Sequence, residues 1–207
     1  MIKSNEILSI ILALIVLSFS NAFLNQSLFL TSLLFFAIIL IIYVGAKKLM
    51  AYYLESEEET KIWTFQRYGL YEKSYFKKPV PIGIILPFIL SIISFGYIKW
   101  FAVTESEIRP TELRAVKRHG VLSFSEMTEW HIALISAAGI IPLFILAVVS
   151  YLINQPELGK LSIYFACFNL LPIGKLDGTK IFFGSRVLYA ILIAIALISL
   201  SYVFLMF

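Results

Sequence analysis

Residues 161–184 read LSIYFACFNLLPIGKLDGTKIFFG, an apolar stretch of membrane-spanning length that polar and helix-breaking residues interrupt. Pro172 removes a backbone donor, and the two glycines that follow it permit a local turn. Asp177 adds a charge, which costs at least about 2.5–3.5 kcal/mol at mid-bilayer on insertion scales. Irregular backbone and charge persist at membrane depth only where they face protein or a water-filled cavity. The stretch therefore predicts an internal polar site centred on residues 169–178, unless the helix ends before Pro172 and the rest is an exposed loop.

The composition of the whole chain also indicates a membrane protein. Of its 207 residues 60% are hydrophobic and 14% charged, whereas a soluble domain is about half apolar and roughly a quarter charged. These values exclude a soluble globular domain and a disordered chain. The net charge of +4 does not indicate nucleic-acid binding, because the basic residues lie between apolar blocks, where we expect contact with membrane lipid. The single cysteine, Cys167, excludes an internal disulfide and a multi-cysteine metal site.

Six apolar blocks follow one another along the chain, and a helix needs about 20 such residues to cross the hydrocarbon core. We therefore predict an all-α polytopic integral membrane protein with about six transmembrane segments. The residues over 97–103 are extended in character and predict a short β-hairpin after the third segment. The first block resembles a signal peptide, but the second follows at once, so we expect an uncleaved helix. The blocks are 7–23, 28–46, 79–98, 131–153, 161–183 and 187–207.

This order divides the chain into four regions. Residues 1–46 form an N-terminal transmembrane hairpin, and 79–185 and 186–207 form a membrane core and a C-terminal transmembrane helix. Residues 47–78 are polar and aromatic, and we assign them to the membrane interface, where Trp and Tyr are enriched. We expect the protein in the plasma membrane.

Two motifs in the core resemble those of the site-2 protease family of intramembrane zinc metalloproteases. Asn169-Leu170-Leu171-Pro172 followed by Leu176-Asp177-Gly178 is similar to its N-x-x-P-x-x-x-L-D-G signature. The run over 133–147 resembles the A-G-P-x-x-N helix that precedes that signature. The resemblance covers residues 79–185. It implies that Asp177 is a zinc ligand and that Asn169 helps to hold a substrate strand near the metal.

The chain departs from that family at the residues that perform the chemistry. The family's other two ligands and its general base come from H-E-x-x-H, in which two histidines four apart grip zinc and the glutamate takes a proton from bound water. This chain has no H-E-x-x-H. Counting back from Gly96, which resembles the glycine ending that helix, the motif is expected near residues 84–88, which are apolar. After Gly139 the family's proline is replaced by Ile140 and its asparagine is absent, so the chain resembles a degenerate member.

Other catalytic constellations are weaker. Only His119 and His131 are available as histidine ligands, and His131, near Glu126 and Glu129, is the second candidate after Asp177 for any zinc site. We therefore expect no bound cofactor, with zinc as the one exception. No G-x-S-x-G elbow is present, and Asp177 is the only aspartate, which excludes a two-aspartate protease mechanism.

These features lead to three hypotheses. The first is a non-catalytic site-2-protease-like protein that keeps the polar cleft and binds a transmembrane or extended segment of another membrane protein, with residues 97–103 offering a strand edge. The second is an active metalloprotease with a non-standard zinc site, and the third is a small transporter or channel subunit. Lys175 or Lys180 is expected to pair with Asp177. The predicted partner-binding residues are Asn169, Pro172, Gly174, Asp177 and Gly178.

Overall fold

The computed structural model describes residues 4–23, 26–67, 75–111 and 127–206 and contains seven α-helices and four β-strands within them. The helices are α1 (Ser4–Ala22), α2 (Phe29–Tyr53), α3 (Ile82–Ile93), α4 (Glu129–Leu152), α5 (Pro156–Asn169), α6 (Asp177–Gly184) and α7 (Arg186–Met206). The strands are β1 (Ser56–Ile62), β2 (Phe65–Arg67), β3 (Tyr75–Val80) and β4 (Thr104–Pro110).

Four helices, α1, α2, α4 and α7, are long and apolar enough to cross a membrane. The protein is therefore a helical membrane protein, as its composition predicted. The six predicted crossings are not confirmed. The third apolar block forms only the 12-residue α3, which extends about 18 Å against a hydrocarbon core of about 30 Å. The fifth block forms two short helices, α5 and α6, separated by a turn over 170–176.

Two small antiparallel sheets depart from the predicted all-α architecture. β1 pairs with β4 over its whole length, and β2 pairs with β3. The strand after the third block is therefore residues 104–110 rather than 97–103, and it pairs with a strand that precedes α3 instead of forming a hairpin. α2 also continues to Tyr53, so the predicted boundary after residue 46 lies within a helix.

Residues 97–103 form an irregular segment that starts at the surface with Tyr97 and is buried from Phe101 onward. Near its start the Lys99 ammonium donates to the Asn21 side chain, in the last turn of α1, at 2.8 Å. At its end the carbonyl of Val103 accepts a hydrogen bond from the Trp63 N–H at 2.8 Å. The three residues before β4 have no exposed surface. Burial in protein is the condition on which non-helical backbone is tolerated at membrane depth, and it prevents residues 101–103 from offering the strand edge predicted for 97–103.

α4 is the central helix and packs against α2, α5 and α6. Its buried residues include Ala137, Ile140 and Leu143, which join the main hydrophobic core. The β1–β4 sheet lies beside the first turn of α1, where the Glu6 carboxylate accepts a hydrogen bond from the Thr60 N–H of β1 at 3.2 Å. This packing brings α2, β4 and α6 together around one buried region.

Candidate functional site

The polar stretch of the fifth block folds as an elbow between two helices. α5 ends at Asn169, and α6 begins at Asp177 after the turn over 170–176. Pro172 lies exposed in this turn, while Asp177 is buried. The sequence correctly predicted an interruption at Pro172, and the alternative of a wholly exposed loop is wrong because the chain returns to the interior at Asp177.

Two glycines shape the elbow. Gly174 has a φ of +58°, a conformation that favours glycine, and a Cβ there would lie 3.2 Å from the indole nitrogen of Trp63. A Cβ on Gly178 would lie 2.0 Å from the carbonyl oxygen of Leu170. Both glycines therefore allow close approach within the protein, and their role is to position Asp177.

Asp177 is the centre of a buried group of polar side chains, the Asp177 cluster, formed with Tyr43, Lys47, Ser106 and Lys180. Its Oδ2 accepts a hydrogen bond from the Tyr43 hydroxyl at 2.5 Å and lies 2.5 Å from the Lys47 Nζ. Its Oδ1 lies 3.5 Å from the Ser106 Oγ and 3.8 Å from the Lys180 Nζ. The predicted pairing with Lys180 is confirmed, but the closest cation is Lys47 of α2.

α2 presents Tyr43 and Lys47 on one face because residues four apart lie one turn apart. The Lys47 Nζ also donates to the Ser106 Oγ at 2.6 Å and lies 3.8 Å from the centroid of the Tyr43 ring, within cation–π range. A Cβ on Gly139 of α4 would lie 2.6 Å from the Lys47 Cε. The absence of a side chain at Gly139 therefore makes room for the lysine between α2 and α4.

The cluster holds Asp177 as a carboxylate between two ammonium groups. Burial raises the pKa of the Asp177 carboxyl, but the charges of Lys47 and Lys180 and the hydrogen bonds outweigh it, so the pKa lies below its usual value. Burial lowers the pKa of Lys180 to about 8, although the Asp177 charge opposes this shift. Lys180 also donates to the backbone carbonyl of Ser106, which ties α6 to β4.

Charges of alternating sign continue from the cluster along β1 and β4. Burial raises the pKa of Glu58 on β1, against the opposing charges of Lys47 and Lys48. Burial likewise raises the pKa of Glu105 on β4, which accepts hydrogen bonds from Thr64. The row in order is Glu6, Lys48, Glu58, Lys47, Asp177, Lys180, Glu105 and Lys175.

Asn169 is buried but does not join the cluster. Its side-chain amide donates to the carbonyl of Phe165 in the preceding turn at 2.9 Å. Its Oδ1 is buried and has no hydrogen-bond partner among the described residues. Asn169 and Asp177 thus both lie inside the protein, as predicted, while the structure shows no hydrogen bond between Asn169 and the other polar groups at the elbow within the described part of the chain.

His131 lies at the start of α4, where its Nδ1 is 2.5 Å from the Thr128 Oγ1. Thr128 is the N-cap of α4, so this pair belongs to the helix end. Glu129 is the exposed first residue of the same helix, and Glu126 and His119 lie outside the described residues. Within the described ranges no group of three His, Cys, Asp or Glu side chains is arranged to hold a metal.

The groups around Asp177 do not suit the zinc that the sequence resemblance implies. Zinc takes neutral imidazole, thiolate and carboxylate ligands. Here one carboxylate meets a phenol, an alcohol and two ammonium groups, and ammonium nitrogens have no free lone pair for a metal. The chemistry available to the cluster is hydrogen bonding and ion pairing.

The helix on which the sequence suggested the missing ligand motif is not the helix that faces Asp177. Residues 84–88 lie on α3, whereas the two side chains that face Asp177 from a neighbouring helix are Tyr43 and Lys47 of α2. The sequence signal that could have identified Tyr43 and Lys47 is a pair of polar residues four apart at the end of the second apolar block. The two histidines of H-E-x-x-H have the same spacing.

No family model, no curated protein and no solved structure matches the chain.

Proposed function

We propose that this membrane protein is a non-catalytic site-2-protease-like protein that binds an extended segment of another membrane protein beside the Asp177 cluster. The observation that carries the proposal is the outer edge of β4, which lies next to that cluster and pairs with no other strand in the described part of the chain. The proposal has two parts, the loss of metal chemistry and the retention of a strand-binding edge.

The loss of metal chemistry is supported by the residues on α2. If Tyr43-Val44-Gly45-Ala46-Lys47 stands where the protease family has H-E-x-x-H, then Tyr43 and Lys47 replace the two histidines and Val44 replaces the general base. Valine cannot take a proton from water. The Lys47 ammonium lies against the Asp177 carboxylate at the distance of an ion pair, and thereby supplies the positive charge that a metal would otherwise supply.

The strand-binding edge is supported by the register of β4. The Thr60 N–H bonds to Glu6, so the Thr60–Ser106 pair is not a hydrogen-bonded pair of the ladder. Because such pairs alternate along antiparallel strands, Ser106 and Ile108 both direct their N–H and C=O groups away from β1. In the part of the chain that the structure describes, β4 pairs with β1 alone. A third strand could therefore add to this edge, as in β-augmentation, with main-chain hydrogen bonds providing affinity.

Lys180 covers this edge in the free protein. Its ammonium bonds to the carbonyl of Ser106, the group that an added strand would bond to first. A side chain is displaced at lower cost than a paired strand, so the edge is protected from non-specific pairing without being closed. We place this interaction in the plasma membrane, with the apolar faces of α1, α2, α4 and α7 in contact with lipid.

Photocrosslinking from Ile108 tests the proposal. A photoreactive residue at position 108, in native membranes, should yield an adduct whose partner peptide comes from a membrane protein and maps outside its helices. In a second experiment, Ile108→Pro removes one outward N–H without removing a ladder bond, and Ile108→Ala keeps that N–H. Adducts from a photoreactive residue at Pro110 should disappear in the proline variant and persist in the alanine variant. Equal adducts in both variants would exclude strand addition.

Elemental analysis separates this proposal from the metalloprotease alternative. The purified wild-type protein should contain no stoichiometric zinc, and Asp177→Ala should leave its metal content unchanged. One zinc per chain that is lost in Asp177→Ala would instead support a non-standard metalloprotease. The transporter alternative predicts solute flux into proteoliposomes, which Lys47→Met and Asp177→Asn would abolish.

A further inference from the structure

A cavity of about 340 Å³ lies near the last turn of α1, away from the contact of its first turn with β1. It is bounded by the extended segment after α3 and by α5, and its walls combine two lysines with aromatic rings. The position of the cavity follows from Lys99, which lines it and bonds to Asn21 in the last turn of α1. Glu6, in the first turn of the same helix, bonds to β1 instead. The lining residues are Tyr97, Lys99, Phe101, Lys160, Tyr164 and Phe168.

We propose that this cavity, the Lys99–Lys160 cavity, binds the phosphate group of an anionic phospholipid. Two lysine side chains line a space within the size range of small-molecule sites. Glu157 is a nearby carboxylate whose charge acts on Lys99. A phosphodiester carries a negative charge, which the two lysines attract.

Electrostatics within the cavity favour an anion. Burial lowers the pKa of Lys99, and the positive charge of Lys160 lowers it further, while Glu157 opposes this shift. Two half-buried cations that repel one another gain stability from a shared anion. The Asn21 amide oxygen already accepts from Lys99 at 2.8 Å and orients that ammonium.

The surroundings favour a lipid over a free anion. The end of α3 and the turn after it present large apolar side chains to the outside, since Ile93, Phe95 and Tyr97 are 72%, 75% and 83% exposed. Such a surface beside two lysines matches the boundary between acyl chains and headgroups, where Lys, Tyr and Trp are enriched. Aromatic rings also line the cavity, and the ring centroids of Phe101 and Tyr164 lie 6.4 Å apart in a stacked arrangement. These rings would contact the glycerol and upper acyl carbons of the lipid.

Native mass spectrometry of the full chain in detergent tests this assignment. The probes are phosphatidylglycerol, phosphatidylcholine and inorganic phosphate. The site variants are Lys160→Gln alone and Lys99→Gln with Lys160→Gln. The charge-matched control is Lys77→Gln with Lys78→Gln, which removes two exposed lysines of β3.

The wild type and the control should bind one phosphatidylglycerol more tightly than phosphatidylcholine. The double site variant should lose roughly 30-fold in affinity for phosphatidylglycerol, and the single variant roughly fivefold, because each basic residue near an anionic lipid contributes a similar free energy. Equal binding by the control and the site variants would overturn the assignment. Displacement of the lipid by inorganic phosphate at low millimolar concentration would overturn the lipid as occupant in favour of a free phosphate. The single variant keeps the Lys99–Asn21 bond, so it reports on binding even if the double variant fails to fold.

Discussion

The Lys47 Nζ and the Asp177 Oδ2 lie 2.5 Å apart, and their side chains are 0% and 1% exposed. Removal of two charges from water costs several kcal/mol per ion, and their attraction restores this only with good geometry and further hydrogen bonds. Tyr43 and Ser106 supply those bonds. The intact pair therefore contributes little net stability, but removal of either partner leaves the other as an uncompensated buried charge.

Truncation of one partner should be much more damaging than replacement of both. Asp177→Ala leaves Lys47 buried without its carboxylate, and we expect the free energy of unfolding in detergent to fall by about 3–5 kcal/mol. Lys47→Met combined with Asp177→Leu should recover most of this loss, because the fully buried ammonium is removed together with its carboxylate and Lys180 keeps its bond to the Ser106 carbonyl. Lys175→Ala, at a lysine that is 67% exposed, should change stability by less than about 0.5 kcal/mol. Additive losses in the double variant would contradict a coupled pair.

A zinc site should form when two histidines are introduced on α2. Tyr43→His combined with Lys47→His places two imidazoles four residues apart, opposite the Asp177 carboxylate, which is the ligand set of a catalytic zinc site. We expect about one zinc per chain by elemental analysis, lost when Asp177→Ala is added.

The matched control for this zinc site lies on α3. Ile84→His combined with Phe88→His has the same spacing at the position that the sequence suggested for the ligand motif. This control should bind no stoichiometric zinc. Zinc in the α3 variant and not in the α2 variant would reverse the assignment of the two helices.

Gly139 and Gly45 should respond in opposite ways to alanine. A Cβ at Gly139 would lie 2.6 Å from Lys47 Cε, so Gly139→Ala should displace the lysine and destabilise the fold by about 1–3 kcal/mol. A Cβ at Gly45 meets nothing within 4 Å, and Gly45→Ala should leave stability unchanged or raise it by up to about 1 kcal/mol. Thermal unfolding in detergent measures both. A larger loss for Gly45→Ala would refute the packing of α2 against α4.

Stability should depend on pH through two carboxyl groups of opposite behaviour. Burial raises the pKa of Glu58 above 4.5, so its charged form opposes folding, and stability should rise as the pH falls through the folded pKa toward 4.5. Hydrogen bonds from Lys61 and Arg109 lower the pKa of Glu107 to about 2, so its contribution is full above 4.5 and is lost as the pH falls toward 2. In unfolding midpoints across this range, Glu58→Gln should weaken the rise toward low pH, to which Glu105 also contributes, and Glu107→Gln should weaken the loss toward pH 2. The Glu107 slope should be shallow, because this side chain is 40% exposed and screened by solvent.

Local chemistry explains how much of the fold the sequence could predict. Hydropathy identified α1, α2, α4 and α7, because each keeps an apolar pattern over the length of a bilayer crossing. Hydropathy could not distinguish the short helix α3 from a full membrane crossing, since apolar residues continue beyond Ile93 into the following turn. It also missed the β1–β4 pairing, because those strands alternate charged residues with buried polar ones and are joined across α3 by contacts distant in sequence.

The sequence predicted Asp177 of the candidate site but not Lys47. Asp177 was found because a charge in an apolar block demands a partner. Lys47 was missed because a lysine near the end of an apolar helix normally extends to the membrane interface. The ion pair with Asp177 and the packing against Gly139 show that this lysine points inward, and both are long-range contacts that one sequence does not reveal.

Lys180 and Lys175 provide the last prediction, which concerns the edge of β4. Lys180→Met removes the ammonium that bonds to the Ser106 carbonyl, while Lys47 still pairs with Asp177. A hydrogen bond from a charged donor contributes about 1.5–3 kcal/mol, so loss of this competitor should raise the affinity for an added strand by roughly tenfold. The yield of adducts from a photoreactive residue at Pro110 should therefore increase in Lys180→Met and remain unchanged in Lys175→Met, whose lysine pairs with Glu105 at 3.9 Å instead. A decrease in Lys180→Met would mean that the ammonium contacts the partner directly, and that it assists strand binding instead of opposing it.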